Sequence, residues 1–278
     1  MYFWDMFRSK SPRNQKLIYA IFALLLFGLV WAFDNFYTPD PYGASDGDGP
    51  MTVIPRFYIP SSTTGAIVEH QHYMLSYSEP HEQAEWVAYM LNKAHLTSDK
   101  RKRPYFIEDP IVRSKSADWR NYKGSGYDRG HLCPAGDRRF SEQAYNETFY
   151  TSNISPQDRA FNAGVWNRLE IQVRQWATIY GSVFVATGGV LDDRLTVIGE
   201  EDVAVPRFYY KIVARGDAKH MTLIAFLLPG RESKQSLSQF LVPVDVIEEM
   251  TGIDFFQELP DDMEAKLESV KHPDEWEF

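Results

Sequence analysis

Residues 127–137 read YDRGHLCPAGD, a stretch that sets two acids, an arginine, a histidine and the chain's only cysteine among turn formers. Gly130, Pro134 and Gly136 interrupt it, and it holds too few apolar residues for a core strand. It is therefore either a tight polar turn with an incidental histidine or a place where chemistry is done. The segments around it decide between the two.

The strongest helix signal follows at residues 162–180, NAGVWNRLEIQVRQWATIY. On a helical wheel Val165, Trp166, Leu169, Val173, Trp176 and Ala177 form one core-facing stripe. Glu170 and Arg174 stand one turn apart on its flank, where they line a cleft or form a plain surface pair worth a few tenths of a kcal/mol. Asn162, at the start, is either an N-cap or a functional side chain. Elsewhere AEWVAYML (84–91) is a buried strand or a helix segment, and GSVFVATGG (181–189) is a β-branched strand closed by glycines. RFYYKIVAR (207–215) and MTLIAFLLPG (221–230), joined by GDAKH, predict a hairpin. VDVIEEMTG (244–252) predicts a short helix stopped by Gly252.

Residues 17–33, LIYAIFALLLFGLVWAF, carry neither charge nor proline. At about 1.5 Å per residue they can just cross a hydrocarbon core. Arg8, Lys10, Arg13 and Lys16 precede them, and Asp34 and Asp40 follow. That step predicts a cytoplasmic N-terminus and a domain on the far side, which is periplasmic for a bacterial inner membrane, with a mitochondrial inner membrane as second choice. WAFDNF offers no small-residue cleavage site, so an uncleaved anchor is expected over a signal peptide. The domain layout predicted is a basic tail at 1–16, an anchor at 17–33, a flexible stalk at 34–60, one folded domain at 61–260 and an acidic tail at 261–278. A lone cysteine excludes an internal disulfide. The formal charge is −9, yet residues 99–174 hold fourteen Lys/Arg against ten Asp/Glu. A basic segment in an acidic chain favours a local anion site over a surface that coats nucleic acid.

DRGHLCPAGD, TFYTSNISPQ (148–157) and FNAGVWNRLE (161–170), in that order and spacing, resemble the motif series of the DNA/RNA non-specific endonucleases. The likeness spans roughly residues 70–257. It implies an α+β fold: a central, mostly antiparallel sheet flanked by helices, with a ββα-metal finger at the active site, here preceded by one transmembrane helix. It also implies a Mg2+-dependent, sugar-non-specific endonuclease acting on DNA and RNA, leaving 5′-phosphate ends, with Mn2+ able to substitute and a homodimer as a partner state.

The resemblance assigns roles residue by residue, and the chemistry suits the residue types. His131 matches the general base, a job a neutral imidazole can do near neutral pH, with an acid limb expected near the ordinary histidine pKa. Asn162 matches the single protein ligand of the metal, which keeps its waters and accepts an amide oxygen. Glu170 matches the carboxylate that holds the metal-bound waters, Arg174 the arginine near the leaving group, and Asn153 a residue that positions the loop. Arg129 is a further phosphate contact, and Arg103, chosen over Arg101, is the upstream one. Asp128 braces the loop, and Cys133, where relatives often carry a smaller residue, packs as a small hydrophobe. HEQAE (81–85) lacks the second histidine of a zinc-protease motif, and His70 and His72 lack a third ligand; both sets are expected in solvent. The alternatives are a non-catalytic nucleic-acid-binding module of the same fold, against which the complete His131, Asn162 and Glu170 set argues, and a hydrolase of other phosphodiesters.

Overall fold

The computed structural model describes residues 12–37, 42 and 52–278. Most of the expected basic tail (1–11) and much of the expected stalk (38–41 and 43–51) lie outside the described residues. The chain divides into two compact units, one ending at Asp40 and one running from Pro41 to Phe278. In the first, helix α1 (Pro12–Phe36) contains the stretch Gln15–Phe33, long and apolar enough to cross a membrane and with none of it buried.

Among the described residues, the second unit is built on eleven strands. In chain order these begin with β1 (Ile67–Glu69), β2 (Met74–Ser78), β3 (Gln83–Asn92), β4 (Asp128–His131) and β5 (Ile154–Gln157). They continue with β6 (Ser182–Gly189), β7 (Thr196–Ile198), β8 (Val203–Val205), β9 (Phe208–Arg215), β10 (Thr222–Pro229) and β11 (Leu241–Val242). Seven of them form one antiparallel sheet in the order β1-β2-β3-β6-β9-β10-β11, while β4-β5 and β7-β8 are separate two-stranded ribbons. The helices are α2 (Glu142–Glu147), a single turn α3 (Arg159–Phe161), a π-helical stretch Asn162–Trp166, α4 (Asn167–Tyr180), α5 (Val244–Thr251) and α6 (Asp261–Glu268).

The ambiguous run AEWVAYML is strand β3, and its lack of alternation has a physical cause. Val87, Tyr89 and Leu91 enter the core under α4, whereas Trp86 and Ala88 enter the core on the opposite face. A strand covered on both sides needs no polar face. The expected hairpin is β9-β10, with Arg215 opposite Thr222, and α5 ends at Gly252 in the left-handed region (φ 71°). The predicted stripe, which runs from the π-helical stretch into α4, is buried as expected: Val165, Trp166, Leu169, Val173, Trp176 and Ala177 are at most 1% exposed.

Three sequence expectations are corrected. Residues 52–60, placed in the stalk, belong to the folded unit: Tyr58 is buried, stacks on Phe184 (4.6 Å) and donates its hydroxyl to the carbonyl of Gly216 (2.7 Å). Residues 261–278, placed in an acidic tail, hold α6 and then a strap whose Trp276 is buried against Trp176 of α4. Aromatic burial outweighs the acidic composition there. His70 and His72 are not solvated but buried; His70 Nε2 lies 2.8 Å from Asp109 Oδ2 and its ring packs on Tyr73.

Candidate active site

Strands β4 and β5 bring the first two motifs together, with Gly130 opposite Ser155 and His131 opposite Ile154. Gln157, the last residue of SNISPQ, is fully buried, and a Cβ on Gly130 would overlap its side chain. The glycine of DRGH is thus required by a close approach between the two strands. Gly130→Ala should destabilise the domain by roughly 1–3 kcal/mol, the usual cost of overpacking, read as a lower urea midpoint at unchanged slope.

Behind β4, Asn153 is fully buried and clamps the loop that follows His131. Its Oδ1 accepts the Cys133 N–H (2.8 Å), and its Nδ2 donates to the carbonyls of Cys133 (3.0 Å) and Thr148 (2.9 Å). Cys133 is free and buried, and burial pushes its thiol up to about 12, so it packs as a hydrophobe and not as a nucleophile.

His131 sits in an aromatic cage, edge-on to Phe149 (4.9 Å) and tilted against Phe106 (5.6 Å). Its Nε2 is buried, with no hydrogen-bond partner among the described residues. The same rings organise the cations: Arg103 lies over Phe106 (5.4 Å) and Phe149 (5.7 Å), and Arg129 over Phe106 (4.8 Å) and Trp119 (5.7 Å). Burial, then the Arg103 guanidinium, pushes the imidazole down to about 3. This moves the ring away from the ordinary histidine range expected from sequence and keeps it neutral across physiological pH. Arg103, Arg129, Asp128 and Asn162, with Tyr122 and Tyr127, line one polar cleft of about 270 Å³.

The competition over Asn162 is resolved by Asp158. Asp158 Oδ1 accepts the Phe161 N–H (2.9 Å) and so caps the helix, which starts three residues earlier than the sequence pattern suggests. Asn162 instead donates its Nδ2 to Asp128 Oδ2 (3.2 Å), which orients the amide. A carboxylate only accepts, so the amide oxygen is the atom left over, and among the described residues it makes no hydrogen bond. The helix is π-wound from here to Trp166, with Gly164 outside helical angles and the Val165 N–H held by Glu232 Oε2 (2.9 Å).

Glu170 and Arg174 do not line that cleft. Arg174 donates to Asp137 Oδ1 (2.7 Å), the buried acid that ends YDRGHLCPAGD, and Tyr89 donates to the other oxygen (3.1 Å). The carboxylate of Glu170 makes no side-chain hydrogen bond among the described residues. Burial raises its carboxyl above the usual range; Lys211 opposes that shift and Asp137 adds to it. Lys211 is the residue that sequence reading missed: a fully buried lysine in β9, over the Trp166 ring (4.6 Å) and donating to Thr187 Oγ1 (3.1 Å), its ammonium lowered by burial. A charge in the middle of the apolar run FYYKIVA was the available signal.

The free amide oxygen of Asn162 and the unsatisfied carboxylate of Glu170 are oxygen donors suited to a hard divalent cation. The separate β4-β5 ribbon with His131 and Arg129, followed by the helix that begins around Asn162, has the ββα order that the motif resemblance implies. The comparisons agree. Residues 54–262 match the family described as DNA/RNA non-specific endonuclease, and the chain belongs to that family of metal-dependent phosphodiester hydrolases. It is 36% identical over 230 residues to Nuclease EXOG, mitochondrial, of Danio rerio, covering 77% of this chain and 67% of that one. It is 34% identical over 203 residues to Endonuclease G, mitochondrial, of Homo sapiens, covering 66% of this chain and 67% of that one. The chain thus spans about two thirds of these relatives. Among solved structures, the EndoG/EndoGI complex, described as showing the mechanism of EndoG inhibition, aligns with a TM-score of 0.65 at 32% identity, over 70% of this chain and 86% of that one.

Proposed function

We propose that the chain is a membrane-anchored, Mg2+-dependent endonuclease that hydrolyses DNA and RNA without sugar preference and leaves 5′-phosphate ends, with His131 as general base. The observation that carries this reading is the convergence of Arg103, Arg129 and the free oxygen of Asn162 on one polar cleft, with the caged, neutral His131 packed against the same Phe106 ring that carries both arginines.

The arginines hold the phosphate by charge-assisted hydrogen bonds, and their guanidinium planes are fixed on aromatic faces before substrate arrives. His131 takes the proton of the attacking water; with Nε2 enclosed, Nδ1 is the nitrogen for that task. Asn162 would hold the metal through its amide oxygen, and Glu170 would hold that metal's waters. When bound, Mg2+ supplies positive charge to the scissile phosphate and the leaving oxygen. Arg174, fixed by Asp137, lies one turn beyond Glu170 for the same charge. Contacts to phosphate and sugar carry little sequence information, which fits cutting without base preference.

A panel of plasmid DNA, RNA and small phosphodiesters tests the substrate class. Cleavage of both nucleic acids with little action on small diesters is expected; preferential hydrolysis of the small diesters would assign a different substrate. The pH dependence follows from the two shifted groups. Glu170, its carboxyl raised, must lose a proton to serve the metal, so metal affinity falls as pH drops. At saturating Mg2+ Glu170 stays ionised, and the acid limb should then fall well below about 6.5, because His131 remains neutral down to far lower pH. Rate profiles at low and saturating Mg2+ should therefore separate on the acid side and approach one another only above neutrality, because Glu170 is raised to about 7.

The anchor reading rests on α1 and on the charges that flank it. With the N-terminus cytoplasmic, the domain faces the periplasm of a bacterial cell. Protease added to intact spheroplasts should digest the domain, and carbonate washing should not release it.

A further inference from the structure

On the sheet face opposite α4, three carboxylates from two helices converge. Asp245 and Glu248 lie one turn apart on α5, Glu268 is the last residue of α6, and one carboxylate oxygen from each lies within 4.8 Å of the others. Glu268 is only 4% exposed, and among the described residues its buried Oε1 has no hydrogen-bond partner. Glu264, earlier on α6, also has a buried Oε1 with no hydrogen-bond partner among the described residues. Glu248 gives one oxygen to the Phe255 N–H (2.8 Å), leaving the other for the cluster. Among the described residues no lysine, arginine or histidine forms an ion pair with any of these acids.

We propose that Asp245, Glu248 and Glu268 form a second, non-catalytic cation site that takes a hard divalent ion, with calcium preferred, and ties α6 to α5. Buried carboxylates are tolerated when paired or when they ligate a metal, and an all-oxygen set on two short helices of imperfect symmetry suits the flexible coordination of calcium better than the octahedron of magnesium. Glu268 also stands at the negative end of α6, where a carboxylate is disfavoured and a cation is welcome. Burial, followed by the charges of Glu248, Glu264, Asp245 and Asp254, pushes Glu268 up to about 9; burial also pushes Glu248 up to about 7. A bound cation would relieve that repulsion. Beyond α6 the chain runs to Trp276 and Phe278, which pack on Trp176 of the helix bearing Glu170 and Arg174. The ion would thus fasten the start of the strap that braces the active-site helix.

The test uses the full chain in detergent, stripped of metal, in the Asn162→Ala background so that the cation expected at the catalytic cleft is not read. Calcium at about 1 mM should raise Tm by about 3 °C or more, as linkage to a site in the folded state requires. The rise should vanish when Glu268→Gln or Glu248→Gln is added, and magnesium at the same concentration should give a smaller rise. Both carboxamide variants are made so that a folding failure in one leaves the other to decide. No rise with calcium up to about 10 mM, or a rise that survives in the folded carboxamide variants, would overturn the site; an equal rise with magnesium would overturn the preference.

Discussion

His131→Ala should lower the single-turnover cleavage rate by at least about 10², the lower end of what general-base loss costs, while DNA binding stays within a few fold. The two outcomes separate because the groups proposed to hold phosphate, Arg103 and Arg129, rest on Phe106, Phe149 and Trp119 and not on the imidazole. The fold should tolerate the change, since Asn153 clamps the following loop through main-chain groups of Cys133 and Thr148 that the variant leaves intact. Rate and affinity are measured on one labelled strand, the rate with saturating Mg2+ and the affinity without metal. A variant that cuts at the wild-type rate would remove His131 from the chemistry.

Asn162→Ala should abolish most Mg2+-dependent cleavage with little loss of stability. Because Asp158 caps the helix, removing the Asn162 side chain costs no cap; the main loss is the hydrogen bond to Asp128 Oδ2, worth about 1 kcal/mol. The amide oxygen it removes is the proposed ligand. A Mg2+ titration of activity, run beside urea unfolding, distinguishes the readings: activity lost at every attainable Mg2+ concentration with a near-native midpoint is expected. Full activity at the wild-type Mg2+ requirement would rule out the ligand role.

The motif residues and the buried stripe of α4 were legible in the sequence because both follow local rules: turn formers around His131, and a 3.6-residue period in apolar positions. The family and the fold followed from the order of the motifs. The identity of β3 was not legible, because a strand packed on both faces loses the alternation that marks strands. The helix start was misplaced for a related reason. The apolar period begins at Val165, but Asp158 caps the helix earlier and a π-wound turn at Asn162 shifts the register, and no residue pattern announces such a turn. Pairings distant in sequence were also hidden. Asp109 makes His70 a core residue, Asp137 holds Arg174, and Lys211 lies opposite the proposed metal helix only once β9 sits beside β6. Composition misled at the C-terminus, where acidic residues 261–278 end in aromatic packing on Trp176.

Cleavage of plasmid DNA and of single-stranded RNA by the purified wild-type chain, side by side over one Mg2+ titration and with chelator, tests the central claim most directly. The account predicts that both substrates are cut to 5′-phosphate ends, that both activities share one Mg2+ dependence, and that both disappear with chelator. Undiminished cutting in chelator, or DNA and RNA cleavage with separate metal requirements, would contradict a single Asn162-centred site.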